Sequence, residues 1–116
     1  MSHALIIDDN MIVSRAIEDR LAELGFRSFD HTWTERQAIA AAANRSPDLV
    51  VIGDSIEDGS TLKAARNIAM QRNTPILMVT ADPGRTRRRL DQQATFDGLF
   101  LLNEIENAVA LARATV

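Results

Sequence analysis

The segment PDLVVIGDSIEDGS, residues 47–60, carries the strongest signal for the fold of this chain. Its four consecutive apolar residues, Leu49 to Ile52, follow a proline and precede a turn-forming run of Gly, Asp and Ser. A short continuous apolar run of this kind is typical of a strand buried on both faces, as in a parallel sheet covered by helices. The segment therefore predicts a central strand that ends in a polar loop at Gly53 and Asp54.

Four similar apolar runs recur along the chain at fairly even spacing. They are ALII at 4–7, the weaker RSF at 27–29, ILMV at 76–79 and LFLL at 99–102. Segments with helical features lie between them. Strands that alternate with helices in this way predict a five-stranded, doubly wound parallel α/β sandwich with helices on both faces.

Terminal signals predict where the helices begin and end. In residues 11–24 the apolar side chains share one helical stripe, and Gly25 follows as a stop. The other predicted starts are Thr34 with Gln37, Ser60 or Thr61, and Asn103 with Glu106, and residues 85–95 are assigned to a further short helix.

Composition restricts the function classes. The chain has 116 residues, 46% hydrophobic residues, a formal net charge of −3 and no cysteine. We therefore expect one domain, 1–116, without an output domain, and no disulfide or thiolate metal site. No apolar run approaches the ~20 residues that span a bilayer, so we expect a cytoplasmic protein without a membrane partner. The acidic balance argues against nucleic-acid binding.

Polar residues that follow the predicted strands define the candidate site, because ligands of such sheets bind beyond the carboxyl ends of the strands. Asp8 and Asp9 follow the first strand, Gly53 and Asp54 the third, and Thr80 the fourth. Several motifs accompany these residues. They are LIIDDN at 5–10, PDLVV at 47–51, EDGS at 57–60, VTA at 79–81 and DGLFLLN at 97–103.

With these motifs the sequence resembles the receiver domain of bacterial response regulators over essentially its whole length. The resemblance implies a flavodoxin-like (βα)5 fold with strand order 2-1-3-4-5. In the family, an acidic pair helps to hold magnesium, and an Asp that ends the third strand accepts a phosphoryl group from a histidine kinase. A Thr or Ser follows the fourth strand, and a Lys ends the fifth. The cation and the Lys draw charge from the transferring oxygens.

The sequence departs from the family pattern at the central positions. Counted from Pro47, the acceptor position falls on Gly53, and the family's Lys position falls on Leu102. The aromatic switch position becomes Leu99. Three carboxylates with one Lys carry the same formal charge as two carboxylates alone, so the two losses compensate each other. Losing one alone would leave a buried charge without its partner.

Asp54 is the alternative candidate acceptor. In a regular strand, a slip of one residue turns a side chain to the opposite face, which would direct Asp54 away from the pocket. A bulge at Gly53 would bring Asp54 back beside Asp9. The sequence leaves both geometries open.

The remaining candidate residues each have a plain structural interpretation beside the functional one. Asp8 and Asp9 form either a weak magnesium site or a charge pair at a helix N-terminus, and Thr80 is either the switch residue or an ordinary strand-end Thr. His3 and His31, which lack further ligands at metal spacing, are expected to be exposed or structural. The resemblance implies a surface for a protein partner, and the plain alternative is a solvated helix face. The residues concerned are Arg85, Arg87, Arg88, Arg89 and Leu99.

The leading hypothesis is a single-domain module of two-component signalling that binds a protein without phosphorylation and is not an enzyme. The partner would be a histidine kinase, a phosphotransferase or a regulator, with no required cofactor, and the module a monomer or weak homodimer. The first alternative is a phosphorelay receiver that uses Asp54. The second is a small metal-dependent phosphohydrolase, for which no general base is apparent.

Overall fold

A computed structural model of the chain describes residues 2–53, 58–72, 74–80, 84 and 99–114. The strands are β1 (His3–Ile7), β2 (Ser28–Thr32), β3 (Leu49–Ile52), β4 (Ile76–Met78) and β5 (Leu99–Leu101). The helices are α1 (Met11–Glu23), α2 (Glu35–Asn44), α3 (Thr61–Arg72) and α4 (Ile105–Ala114). All the strand pairs are parallel, and the sheet order is β2-β1-β3-β4-β5, which confirms the predicted architecture.

The sheet is buried on both faces by two separate apolar clusters. Side chains alternate between the faces along each strand, so Leu5 and Ile7 join one cluster while Ala4 and Ile6 join the other. Helices α2 and α3 cover the first face, and α1 and α4 cover the second. Every residue of β1 and β3 is buried, as their continuous apolar runs predict. Full burial of a Leu or Ile side chain contributes about 1.5–3 kcal/mol.

The beginnings of α1, α2 and α3 are capped by side chains. The Asn10 side chain accepts hydrogen bonds from the backbone N–H groups of Ile12 (3.0 Å) and Val13 (3.3 Å). Thr34 accepts one from Gln37 at 3.1 Å, and Ser60 accepts one from Lys63 at 3.2 Å, both as predicted. Each such cap stabilises its helix by about 1 kcal/mol. The caps fix where the chain turns from the sheet edge into each helix.

The start of the last helix differs from the prediction. A short 3-10 helix, Leu102–Glu104, precedes α4, and the Glu104 carboxylate accepts a hydrogen bond from the backbone N–H of Leu101 at 2.9 Å. Helical backbone thus begins one residue before Asn103, because the chain tightens directly after β5. The predicted pairing of Asn103 with Glu106 stays a prediction.

Two further predictions concern the remaining segments. The short helix assigned to residues 85–95 falls outside the described residues. Among the helices in the described part of the chain, none is both long enough and apolar enough to cross a membrane.

Candidate functional site

The candidate site lies where β1, β3 and β4 end side by side. Ile7 pairs with Ile52, so that Asp8 and Gly53 are the next residues in register. The ladder continues past the strands, because the Gly53 N–H donates to the Ile7 carbonyl at 3.0 Å and the Val79 N–H donates to the Ile52 carbonyl at 2.8 Å. This pairing places the predicted acceptor position directly beside the first residue of the acidic pair.

The carboxyl group of Asp8 lies in the space that a side chain at position 53 would need. A Cβ atom built on Gly53 would stand 2.5 Å from Asp8 Cγ and would overlap Asp8 Oδ2. Side-chain positions in register on neighbouring strands share one face of the sheet, so the two residues compete for the same volume. Gly53 is therefore the residue that lets the Asp8 carboxylate turn towards β3.

The two members of the acidic pair lie in different surroundings. Asp8 is 8% exposed, and its Oδ1 accepts a hydrogen bond from the backbone N–H of Asn10 at 2.8 Å. Asp9 is exposed, although it follows Asp8 directly in the chain. The Asp8 N–H donates to the Thr32 carbonyl at 3.0 Å, which holds the end of β1 against β2. Asp8 is thus part of the packed end of the sheet, whereas Asp9 borders solvent.

The other predicted positions are arranged around this edge. Thr80, two residues beyond β4, is half-buried, and Leu102, at the predicted Lys position, is 39% exposed. Leu99 begins β5, where it pairs with Ile76. Asp54 and the four arginines at 85, 87, 88 and 89 lie outside the described residues, so their predicted roles stay predictions.

Magnesium, which the family implies, needs several oxygen ligands in octahedral arrangement. Within the described ranges, no group of three His, Cys, Asp or Glu residues is placed to hold a metal ion. Asp8 is directed towards Gly53 and is bonded to the Asn10 N–H, while Asp9 is exposed. On this geometry, the described residues do not fit a magnesium ion.

A contact between two loops at the same edge is not apparent from the sequence. The Glu35 N–H donates to the Asp58 carbonyl at 3.0 Å, and the Glu35 carboxylate accepts a hydrogen bond from the Ser60 N–H at 3.0 Å. Gly59 closes over this contact with φ +96°, a conformation that favours glycine. The loop after β3 is thereby fastened to the start of α2. In the sequence, the feature that hints at this contact is Gly59 within the EDGS motif.

Two exposed apolar residues adjoin the acidic pair and were also missed. Met11 is 50% exposed and Ile12 is 83% exposed in the first turn of α1. Ile12 lies outside the apolar stripe that includes Ile17 and Leu21, so helical spacing does direct it outward. An exposed Ile alone is ordinary, but two adjacent large side chains beside the site enlarge the apolar surface at this edge.

Comparison with known proteins agrees with this architecture. A family model described as "Response regulator receiver domain" matches residues 4–99. The chain is 26% identical over 81 residues to the KDP operon transcriptional regulatory protein KdpE of Escherichia coli K12, a match that covers 70% of this chain and 36% of KdpE. The chain therefore spans about a third of the length of this curated relative.

Two solved structures show the same fold. A response regulator receiver protein from Sinorhizobium medicae WSM419 superposes with a TM-score of 0.79 at 19% identity, covering 99% of this chain and 97% of that one. The receiver domain of the response regulator PhyR from Erythrobacter litoralis gives 0.77 at 24% identity, with 97% and 90% covered. Together with the parallel 2-1-3-4-5 sheet and the family match over most of its length, these findings show that the chain belongs to the response regulator receiver family.

Proposed function

We propose that this receiver domain signals by binding a protein partner without accepting a phosphoryl group. The observation that carries the proposal is the Asp8 carboxylate, which lies in the volume that an acceptor side chain at position 53 would need. The position has no carboxylate of its own, and the space beside it is filled. The domain therefore acts as a binding module and not as an enzyme.

The position of the family's Lys supports the same conclusion. Leu102 offers no charge to a phosphoryl group, and a charge-assisted hydrogen bond is worth about 1.5–3 kcal/mol. Moving a two-state protein from one conformation almost fully to the other takes about 5.5 kcal/mol of differential binding. A phosphoryl group held without this bond would shift the conformation only weakly.

The partner belongs, on this proposal, to two-component signalling in the cytoplasm: a histidine kinase, a phosphotransferase or a regulator. Apolar clusters pack the described helices against both faces of the sheet. A packed scaffold of this kind can present a binding surface without a phosphorylation switch.

Incubation with a small phosphodonor and magnesium, followed by intact-mass measurement, tests this function. We expect no phosphoryl adduct on the wild-type chain. A stoichiometric adduct that disappears in Asp54→Asn would contradict the proposal and establish the alternative, a phosphorelay receiver that uses Asp54. Ser55→Ala, next to Asp54, serves as the matched control, because an Asp54 adduct would persist in it.

The partner surface expected from the sequence can be tested separately. Once a partner is found by pull-down, charge reversal at Arg87 and Arg88 should weaken its binding at least tenfold, because like charges that meet across an interface cost several kcal/mol. Charge reversal at Arg45, at the end of α2, is the control. Equal affinities of the three proteins would move the interface to another face, such as the first turn of α1.

A further inference from the structure

We infer that Asp8 fills the acceptor's place from within the chain, and that this closes the acidic pair to magnesium. The inference takes its setting from the proposed function, but its tests measure metal binding and folding. The inference can therefore fail while the partner-binding proposal stands, and the partner-binding proposal can fail while the inference stands.

The first step is steric. Ile7 and Ile52 are paired, and the Gly53 N–H bonds to the Ile7 carbonyl at 3.0 Å, so the strand is regular up to this point. Any side chain at position 53 would begin 2.5 Å from Asp8 Cγ, closer than carbon atoms approach without a bond. In this orientation the Asp8 carboxylate and a side chain at position 53 exclude each other, so Asp8 would have to turn away to admit one.

The second step concerns what holds Asp8 in place. One carboxylate oxygen accepts a hydrogen bond from the Asn10 N–H at 2.8 Å, and the residue is 8% exposed. Asn10 in turn caps α1, so the orientation of Asp8 is tied to the start of that helix. Turning Asp8 outward to a cation would break this bond and open a space beside Gly53. A cation would have to compensate both losses.

The third step concerns charge. In the family, the acceptor carboxylate adds a third negative group to the acidic pair, which a divalent cation offsets. Here the carboxylate of Asp8 occupies the place of the acceptor side chain. The site therefore has two carboxylates, those of Asp8 and Asp9, where the family has three. Two carboxylates in different surroundings leave most of an octahedral shell to water, which gives weak affinity at best.

Substitutions at positions 8 and 53 test the steric step. Gly53→Ala should raise the ratio of unfolded to folded protein roughly 5- to 30-fold, the effect of overpacking a filled site. The backbone at Gly53 has no positive φ, so it accommodates an L residue. In the Asp8→Ala background only the Cβ of residue 8 remains close, at 3.3 Å, so Gly53→Ala should change the ratio much less than in the wild type.

Asp8→Asn is the matched control for charge. Asn has the size of Asp, so Gly53→Ala should remain destabilising in that background. An equal effect of Gly53→Ala in the wild-type, Asp8→Asn and Asp8→Ala backgrounds, measured by urea denaturation, would overturn the inference.

A magnesium titration tests the closure, and its wild-type arm does not depend on any variant: saturable binding at millimolar magnesium by the wild type would already contradict the inference. In the wild type we expect no saturable change in the amide NMR signals of Asp8, Asp9, Asn10 and Gly53 at millimolar magnesium. Gly53→Asp should displace Asp8, lower the melting temperature without metal, and gain both saturable shifts and a higher melting temperature with magnesium. Saturable binding by the wild type as tight as that of Gly53→Asp would refute the closed site.

Discussion

The buried polar groups at the two ends of the β-sheet differ in what surrounds them. At the amino end, His3 is 3% exposed, and its ring nitrogens lie 2.8 Å from Ser28 Oγ and 3.0 Å from Asp30 Oδ2. At the carboxyl end, Gly53 carries no side chain, Leu102 is partly exposed, and the Asp8 carboxylate lies in the space beside Gly53. One end holds a buried histidine whose polar groups all have partners, whereas at the other end a buried carboxylate lies against a glycine.

The network at the amino end joins both ring nitrogens of His3 to polar partners. The Asp30 carboxylate lies where it can accept from Nε2–H, and the Ser28 hydroxyl beside Nδ1 can donate or accept. The His3 backbone is held as well, because its N–H donates to Asp48 Oδ2 at 2.9 Å and its carbonyl accepts from the Asp48 N–H at 2.8 Å. Every polar group of His3 has a partner, as a buried polar residue requires.

The comparison shows that buried polar side chains at the two ends of the strands have different roles. Ligands in sheets of this type bind beyond the carboxyl ends of the strands, so the amino end has no such role. There, His3 links β1 to β2 and to the start of β3, and serves stability. At the carboxyl end, the proposed absence of phosphotransfer would remove the need for an acceptor and a Lys.

The largest effect is expected from breaking the amino-end network. His3→Ala would leave a cavity and remove the partner of both Ser28 and Asp30, and should lower the free energy of unfolding by about 2–4 kcal/mol. Leu102→Ala at the carboxyl end, where the side chain is already partly in water, should cost less than about 1 kcal/mol. Urea denaturation measures both. Equal losses would mean that the two ends do not differ in their contribution to stability.

A smaller effect is expected from the loop contact at the carboxyl end. Glu35→Ala removes the acceptor of the Ser60 N–H and should lower the free energy of unfolding by about 1–2 kcal/mol. Hydrogen exchange at the Ser60 amide should also become faster. Glu35→Gln keeps a side-chain oxygen at this position and should retain most of the protection. Unchanged exchange in Glu35→Ala would show that the backbone bond to Asp58 holds the loop alone.

The smallest effect is expected at the first turn of α1. Ile12→Ala should change the free energy of unfolding by less than about 0.5 kcal/mol, because the side chain is already in water. Ile17→Ala in the same helix, where the side chain is buried, should cost about 2–4 kcal/mol. Comparable losses, measured by thermal unfolding, would place Ile12 in a contact that its exposure does not indicate.

The sheet could be predicted from the sequence because each central strand is a continuous apolar run whose burial needs only local information. The caps at Thr34 and Ser60 follow for the same reason, since donor and acceptor lie three residues apart. The network of His3 could not be predicted, because its partners are 25 to 45 residues away and depend on the register of β1 with β2 and β3. The sequence allowed a structural role for His3 but did not identify these contacts.

The site was predicted only in part. The motif spacing placed Asp8 and Gly53 at the same edge, and the register confirms that they are neighbours. Periodicity gives the face of a residue but not its side-chain orientation, so the turn of Asp8 towards Gly53 could not be foreseen. Whether Asp54 points into the pocket stays a prediction, as do the roles of the arginines.

The volume shared by Asp8 and residue 53 also has an evolutionary consequence. Because the Asp8 carboxylate occupies this volume, removing a side chain from position 53 and restoring one are not equivalent changes. The restoring substitution meets the Asp8 carboxylate and has to displace it, whereas the removal meets no such obstacle. This dependence of one substitution on its neighbour is a form of epistasis: a receiver in this state regains a carboxylate at position 53 at a cost in stability, and a second substitution at position 8 would lower that cost.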